Sequence, residues 1–215
     1  HKRVAEGDMG LNTGGMGAYA PAPVVTEDVR SRAIREIVEP MHLHLSSQEV
    51  PYRGCLYVGL MIDDSGAPSV VEYNVRFGDP ETQVTIPLIS SDLCDLLLAV
   101  SEGRLSDSMP TFSNAHALTV VLAAEGYPGP PVKGRLIEGN ASSKWVEMAE
   151  GKCLIHHAGT GLNEGKLIST GGRVLAATGV SQNSLEDAKN LAYKRLSEVH
   201  LEGSHFRRDI GHRAL

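Results

Sequence analysis

The sequence predicts an α+β protein in which an antiparallel sheet with helices is followed by a small β-rich domain closed by a helix. Two apolar runs flank a turn at residues 63–66, which is the pattern of a β-hairpin. In the first half, helical apolar stripes follow the capping residues Thr26 and Asp92. In the second half, short strand-like runs precede one helix that begins at Ser184.

The length of 215 residues allows one large domain or two small ones. Residues 106–114 are polar, contain a proline and lack periodicity, so they predict a boundary. We therefore expect one domain at residues 1–108 and a second, β-rich domain at residues 114–215.

The first half should contain a loop, a helix, a hairpin and a second helix. Residues 1–23 are rich in glycine and predict a loop, and the first helix should kink or end at Pro40. Strands are expected at residues 54–62 and 68–74, on either side of the turn. The second helix should end at Gly103.

The second half should contain strands at residues 117–124, 153–157 and 173–180. A final helix is expected from Ser184 to about Val199. Its predicted core stripe consists of Leu185, Ala188, Leu191, Ala192 and Leu196.

Composition and charge exclude some classes of function. Hydrophobic residues make up 41% of the chain, and the net charge of −6 argues against a nucleic-acid partner. No apolar run is long enough to cross a membrane. The three cysteines, Cys55, Cys94 and Cys153, lie far apart in apolar runs, which predicts buried free thiols and a reducing, cytoplasmic location.

The segment around Glu72, Asn74 and Arg76 carries the strongest chemical signal. Side chains alternate along a strand, so these three should project to the same side. Carboxylate and amide oxygens suit Mg²⁺, and a neighbouring arginine suits a phosphate or an acyl phosphate. The alternative is an ordinary solvent-facing side of a hairpin, although asparagine is a poor strand residue.

Two loops are further candidates. The glycine loop (residues 12–17) consists of Asn12, Thr13, Gly14, Gly15, Met16 and Gly17. Its backbone N–H groups could approach an anion, although such a cluster is equally consistent with a simple turn. The loop of Asp79, Pro80 and Glu81 follows the hairpin, where a turn and a short helix are expected.

The histidines and the C-terminal basic pair favour structural roles. His42 and His44 should lie on different helix faces, and His156 and His157 on opposite faces of a strand. Neither pair is suited to one metal ion. In residues 206–211, the basic pair is expected to meet local carboxylates while the apolar side chains pack.

Long motifs in this chain resemble the glycinamide ribonucleotide synthetase family, which is a member of the ATP-grasp group. NTGGMGAY at residues 12–19 and RFGDPETQ at residues 76–83 are highly specific. Shorter matches are HKR at residues 1–3, HAGT at 157–160, GGRVL at 171–175 and RDIG at 208–211. The resemblance covers essentially the whole chain. It implies the C-terminal part of an ATP-grasp fold followed by the small β-rich domain.

The resemblance also implies a reaction, in which ATP drives ligation of glycine to 5-phosphoribosylamine through glycyl phosphate in purine synthesis. Glu72 and Asn74 would hold Mg²⁺ or Mn²⁺, and Arg76 would be catalytic. The substrate-binding residues would be Asn12, Thr13, Gly14, Gly15, Met16, Gly17, Asp79, Pro80 and Glu81.

Family members carry about as much chain again upstream, including the lobe that clamps adenine. The chain opens at His1, directly before the glycine loop, so we expect a piece of a longer protein that is inactive without its N-terminal half. Two alternatives stay open: another ATP-grasp carboxylate–amine ligase, or a non-catalytic fragment that retains the fold.

Overall fold

The computed structural model describes all residues from His1 to Leu215 and contains helices and antiparallel strands, which confirms the α+β class. The strands are β1 (Arg3–Ala5), β2 (Met9–Asn12), β3 (Gly17–Ala20), β4 (Tyr57–Ile62), β5 (Pro68–Asn74), β6 (His116–Ala123), β7 (Ile137–Gly139), β8 (Val146–Met148), β9 (Gly151–His157), β10 (Thr160–Asn163), β11 (Lys166–Ser169), β12 (Arg173–Ser181) and β13 (Val199–Leu201). The helices are α1 (Glu27–Ala33), α2 (Glu39–Ser46), α3 (Thr82–Thr85), α4 (Leu93–Glu102) and α5 (Leu185–Leu196). No helix is long and apolar enough to span a membrane.

The chain forms two compact units that are interleaved in sequence. The sheet unit contains His1–Ala20, Asp79–Leu88 and Ser113–Leu215, and the hairpin unit contains Pro21–Gly78 and Ile89–Phe112. The sequence predicts two consecutive domains, at residues 1–108 and 114–215, whereas the contacts group the chain into interleaved units. The two domain boundaries therefore stay a prediction.

A five-stranded antiparallel sheet in the order β3-β6-β12-β9-β8 forms the centre of the sheet unit. Two of its three inner strands, β6 and β12, are buried along almost their whole length, as their continuous apolar runs predict. Five short strands were not predicted: β8 is an edge of this sheet, while β7 pairs with β13 and β10 pairs with β11 in separate two-stranded sheets.

Helix α5 packs on one face of this sheet. The Ser184 hydroxyl accepts a hydrogen bond from the Asp187 amide at 3.0 Å, which confirms the predicted cap. The predicted core stripe is also confirmed, since all five residues are at least 93% buried. Gly179 of β12 lies so close to α5 that a Cβ there would collide with the Ala188 carbonyl, so the glycine permits the close approach.

The segment Asp79–Leu88 belongs to the opposite face of the sheet. Val84 and Leu88 pack there with Ala117 and Val180, apart from the main core that α5 covers. The expected turn and short helix after Asp79 are observed, because α3 begins directly after Glu81. This packing anchors the loop of Asp79, Pro80 and Glu81 to the sheet.

The prediction that residues 1–23 form a loop was wrong. The segment contains β1 and β2 as a hairpin, and β3 pairs with β6 at the edge of the main sheet. Glycine and alanine have weak strand preference, so the pairing partner rather than the local sequence makes β3 a strand. Met16, immediately before it, is fully buried in the core.

Arg207 of the C-terminal basic pair has the expected structural role, but its partners are not all local, and Arg208 is exposed. The Arg207 guanidinium, which is 1% exposed, contacts the carboxylates of Asp209 at 2.8 Å and Asp8 at 2.9 Å. Burial would raise the pKa of Asp8, but hydrogen bonds from Arg207 and Arg213 hold it below its usual range. The Arg207 hydrogen bond likewise lowers the pKa of Asp209.

In the hairpin unit, α1 is capped by Thr26, whose hydroxyl accepts from the Val29 amide at 3.3 Å. The helix does not end at Pro40, because a π-helical turn at Ile34–Val38 leads into α2. Proline lies in the first turn of α2, where its missing N–H has least effect.

Helix α4 begins and ends as predicted, but the cysteine environments do not all match expectation. The Asp92 carboxylate accepts from the Asp95 amide at 3.0 Å, and Gly103 ends the helix in a left-handed conformation. All three cysteines are free, yet only Cys153 is buried. Cys94 is exposed because it lies on the solvent side of α4, which a one-dimensional apolar run cannot reveal.

Candidate functional site

Glu72 and Asn74 lie on one face of the β4–β5 hairpin, as the alternation predicted. The turn is held by the Asp63 carboxylate, which accepts from the Ser65 and Ala67 amides at 2.9 Å each. Glu72 stands opposite Gly59 in the register, and Asn74 stands opposite Tyr57. A Cβ on Gly59 would lie 3.1 Å from the Glu72 side chain, so the glycine leaves space beside it.

Arg76 lies just beyond the end of β5 and reaches back to this face. Its guanidinium donates to the Asn74 side-chain oxygen at 3.3 Å and to the Phe77 carbonyl at 2.8 Å. Arg76 is exposed, so its charge faces solvent. The structure thus brings Asn74 and Arg76 into contact and places Glu72 on the same face as Asn74.

The surroundings of these polar groups are unusually apolar for an exposed hairpin. Large hydrophobic residues are exposed along and just after β5, namely Val70, Val71, Tyr73, Val75 and Phe77. A simple solvated face would place polar residues at most of these positions, whereas exposed apolar patches mark binding or interaction surfaces. Tyr73 alternates with Glu72 and Asn74 and therefore lies on the opposite face of β5, so the hairpin exposes apolar side chains on one face and the polar groups on the other.

The donor set on this face fits a hard divalent cation. Glu72 offers carboxylate oxygens and Asn74 offers an amide oxygen. Mg²⁺ prefers such oxygen ligands and shares its coordination with phosphates and water. Glu72 and Asn74 are therefore chemically suited to hold such an ion.

The glycine loop, in the sheet unit, is only partly exposed. Asn12 and Gly14 are exposed, Thr13 is half-buried, and Gly15, Met16 and Gly17 are buried. Gly17 already belongs to β3, and its Cβ position would lie 2.7 Å from the Thr119 carbonyl. The loop therefore presents its first half to solvent, while its second half packs against the sheet.

The Asp79 carboxylate, in the same unit, is hydrogen-bonded on both oxygens. Arg173 donates to one oxygen at 3.0 Å, and Gln83 donates to the other at 3.0 Å. Pro80 follows in a cis peptide bond and is buried, while Glu81 is half-buried.

Three residues near these loops were not predicted from the sequence to take part in the site. Arg173 contacts Gly14 and Asp79, and the Tyr127 hydroxyl accepts from the Gly14 amide at 2.8 Å. Burial lowers the pKa of His156, partly offset by the charge of Asp79, and its Nε2 has no hydrogen-bond partner. In the sequence, Arg173 follows two glycines at the start of a predicted strand, and Tyr127 lies in a Gly-Tyr-Pro break. Neither pattern identifies a partner far away along the chain.

One further cluster has metal-like spacing but the wrong chemistry. His1, Asp8 and His212 offer ligand atoms within 4.8 Å of one another. However, the Asp8 carboxylate already accepts from Arg207 and Arg213, and His1 Nε2 accepts from the Gly211 amide. Both carboxylate oxygens of Asp8 and one ring nitrogen of His1 are therefore already engaged, which favours structural roles for His1 and His212.

Comparison with known proteins matches this architecture. The family model described as phosphoribosylglycinamide synthetase, ATP-grasp (A) domain, matches residues 1–82. The model for the C domain of the same synthetase matches residues 117–213.

Curated relatives agree over the whole chain. Phosphoribosylamine–glycine ligase from Xanthomonas axonopodis pv. citri is 46% identical over 100% of this chain and 48% of its own length. The Vibrio cholerae ligase is also 46% identical, over 100% of this chain and 49% of its own length. The chain therefore spans about half the length of the curated relatives it matches.

Solved structures show the same fold. The crystal structure of phosphoribosylamine–glycine ligase from Thermotoga maritima has a TM-score of 0.80 at 38% identity, covering 97% of this chain and 49% of that one. The biotin carboxylase domain of Hydrogenobacter thermophilus 2-oxoglutarate carboxylase, solved with MgADP, has a TM-score of 0.58 at 19% identity, covering 89% of this chain and 40% of that one. The second likeness concerns the fold alone. From its ATP-grasp and C-domain matches, the chain belongs to the phosphoribosylglycinamide synthetase family.

Proposed function

We propose that this chain supplies the metal-binding and substrate-contacting parts of an ATP-dependent ligase that joins glycine to 5-phosphoribosylamine in purine synthesis. The observation that carries the proposal is the placement of Glu72 and Asn74 on one face, with Arg76 bonded to Asn74. Identity of 46% to phosphoribosylamine–glycine ligases supports this choice of reaction. The complete activity belongs to the parent polypeptide, by which we mean this chain together with the upstream half of its relatives.

The proposed reaction has two steps. A carboxylate oxygen of glycine takes the γ-phosphoryl group of ATP, which gives glycyl phosphate and ADP. The amine nitrogen of 5-phosphoribosylamine then attacks the carbonyl carbon, phosphate leaves with the bonding electron pair, and the nitrogen loses a proton. Negative charge gathers on phosphoryl oxygens in both steps, so catalysis depends on positioning and charge stabilisation.

Arg76 is suited to stabilise that charge. A guanidinium has five N–H donors, and the contacts to Asn74 and Phe77 hold the group in place while its exposed side faces solvent. Glu72 and Asn74 would hold Mg²⁺ or Mn²⁺, which when bound would neutralise charge on the ATP phosphates.

The two loops of the sheet unit form the proposed contact surface for 5-phosphoribosylamine and glycine. Its members are Asn12, Thr13, Gly14, Gly15, Met16, Gly17, Asp79, Pro80 and Glu81. The exposed Asn12 side chain and the Asp79 carboxylate are its polar contacts. Gly15, Met16, Gly17 and Pro80 are buried and support the surface from behind. A cytoplasmic location is part of the proposal, because free cysteines suit a reducing compartment.

Measuring ADP release tests this function. The parent polypeptide should release ADP only when glycine and 5-phosphoribosylamine are both present with a divalent cation. The 215-residue chain alone should show no turnover above background, because it spans only about half the length of the ligases that it resembles.

Three results would each contradict part of the proposal. Turnover of the chain alone near that of the parent would contradict the need for the upstream half. Preference of the parent for another acid and amine in a substrate panel would favour a different ATP-grasp ligase. Absence of turnover with every pair would favour a non-catalytic protein.

A further inference from the structure

The backbone amides of the glycine loop are already engaged within the chain. Amides of this kind form anion-binding sites only when they point outward without partners. Here four consecutive amides donate internally: Thr13 to the Lys2 carbonyl at 2.7 Å, Gly14 to the Tyr127 hydroxyl at 2.8 Å, Gly15 to the Thr13 hydroxyl at 2.9 Å, and Met16 to the His1 carbonyl at 2.8 Å. The loop in this conformation is therefore not an amide cradle for a phosphate.

The glycines instead allow two loops to pack against each other. Gly15 has a φ of +116°, which side chains other than glycine rarely adopt. A Cβ at Gly15 would also collide with the ring of Pro80, and a Cβ at Gly14 would lie 3.0 Å from the Arg173 guanidinium. Because Gly14 and Gly15 have no side chains, the glycine loop can contact Pro80 and Arg173 directly.

Arg173 bonds to both loops at once. Its Nη1 donates to the Gly14 carbonyl at 2.9 Å and to the Asp79 carbonyl at 2.8 Å. Its Nη2 donates to the Asp79 carboxylate at 3.0 Å. The side chain is only 22% exposed, so these charge-assisted bonds are stronger than they would be in open solvent.

The position of Arg173 in the fold makes this contact rigid. It begins β12, the central strand of the five-stranded sheet, and packing on both faces fixes that strand. A residue that is anchored on a strand and bonds to two loops holds them in one arrangement.

We propose that Arg173 is a positioning residue that fixes the glycine loop against the loop of Asp79, Pro80 and Glu81. The two loops then meet a ligand as one preformed surface, which lowers the ordering cost of binding. That this surface binds 5-phosphoribosylamine and glycine rests on the proposed function, whereas the fixing of the two loops does not.

Hydrogen–deuterium exchange of the 215-residue chain tests the structural part. Replacing Arg173 by Ala should raise exchange about tenfold or more in peptides covering residues 11–20 and 78–84, because charge-assisted bonds to both segments are lost. Exchange in β6 should stay unchanged. Arg173→Lys keeps the charge but not the planar set of donors, so it should raise exchange in both segments by an intermediate amount. This variant replaces the alanine variant in the test if the latter fails to fold.

Arg135→Ala is the matched control. Arg135 is 27% exposed, donates to the Glu202 carbonyl at 2.7 Å and pairs with Glu125 at 2.6 Å, but it contacts neither loop. Its replacement should leave exchange in both segments as in the wild type. Wild-type protection of both segments in Arg173→Ala, or equal loss in Arg135→Ala, would overturn the inference.

Kinetics of the parent polypeptide test the functional part. Arg173→Ala should raise KM for 5-phosphoribosylamine about tenfold and leave KM for ATP within about twofold, with partial recovery in Arg173→Lys. An equal rise in both KM values would contradict a role in this surface. Because exchange does not depend on turnover, an inactive parent would refute the proposed function while the exchange result still decides the role of Arg173.

Discussion

Replacing Arg76 by Met in the parent polypeptide is expected to lower turnover by about a hundredfold to a thousandfold. The guanidinium is exposed on the β5 face and is held by Asn74 and Phe77, so it can meet charge that develops on a phosphoryl group. Methionine retains much of the aliphatic volume but removes the charge and all donors. Steady-state ADP release at saturating substrates measures the loss.

Arg30→Met provides the control for that experiment. Arg30 also lies in the hairpin unit, is 60% exposed and pairs with Glu27 at 3.1 Å on α1. Its replacement should change turnover by less than about twofold, because exposed helical pairs contribute little. A similar loss in both variants would mean that Arg76 acts through stability of the unit rather than on the substrate.

Replacing Arg207 by Met should destabilise the sheet unit by about 3–5 kcal/mol. Arg207 is 1% exposed and lies between the carboxylates of Asp8 and Asp209, so its removal takes the buried cation from both carboxylates and leaves Asp8 with only the more exposed Arg213. Urea unfolding measures the change in free energy, and fluorescence of Trp145, the single tryptophan, reports on this unit.

Arg213→Met separates burial from charge in the same cluster. Arg213 pairs with the same Asp8 carboxylate but is 65% exposed, so its loss should cost at most about 1 kcal/mol. Equal destabilisation by the two substitutions would contradict the view that the buried position of Arg207 determines its contribution.

Local sequence information was sufficient wherever the causes are local. The cap at Ser184, the core stripe of α5 and the turn at residues 63–66 depend on neighbours within a few positions, and all three are observed. The shared face of Glu72 and Asn74 also follows from strand alternation. The bulge at Val71 does not, because it depends on the register with β4.

Long-range contacts set the limit of prediction. Arg173 is separated by 159 positions from Gly14 and by 94 from Asp79, so no local pattern links them. The glycines of the loop were equally consistent with an anion-binding loop and a simple turn, whereas the structure uses them for close packing and engages the amides internally. The sequence indicates that the loop is unusual, but the close packing that its glycines permit is seen only in the fold.

Binding of Mn²⁺ to the parent polypeptide in the presence of ADP tests the central claim most directly. Electron paramagnetic resonance titration should show that Asn74→Ala weakens Mn²⁺ binding about tenfold or more, because one oxygen ligand is lost. Ser69→Ala, which alters an exposed residue on the same face of β5, should bind as the wild type does. Wild-type Mn²⁺ affinity in Asn74→Ala would contradict the assignment of Glu72, Asn74 and Arg76 as a metal and phosphate site.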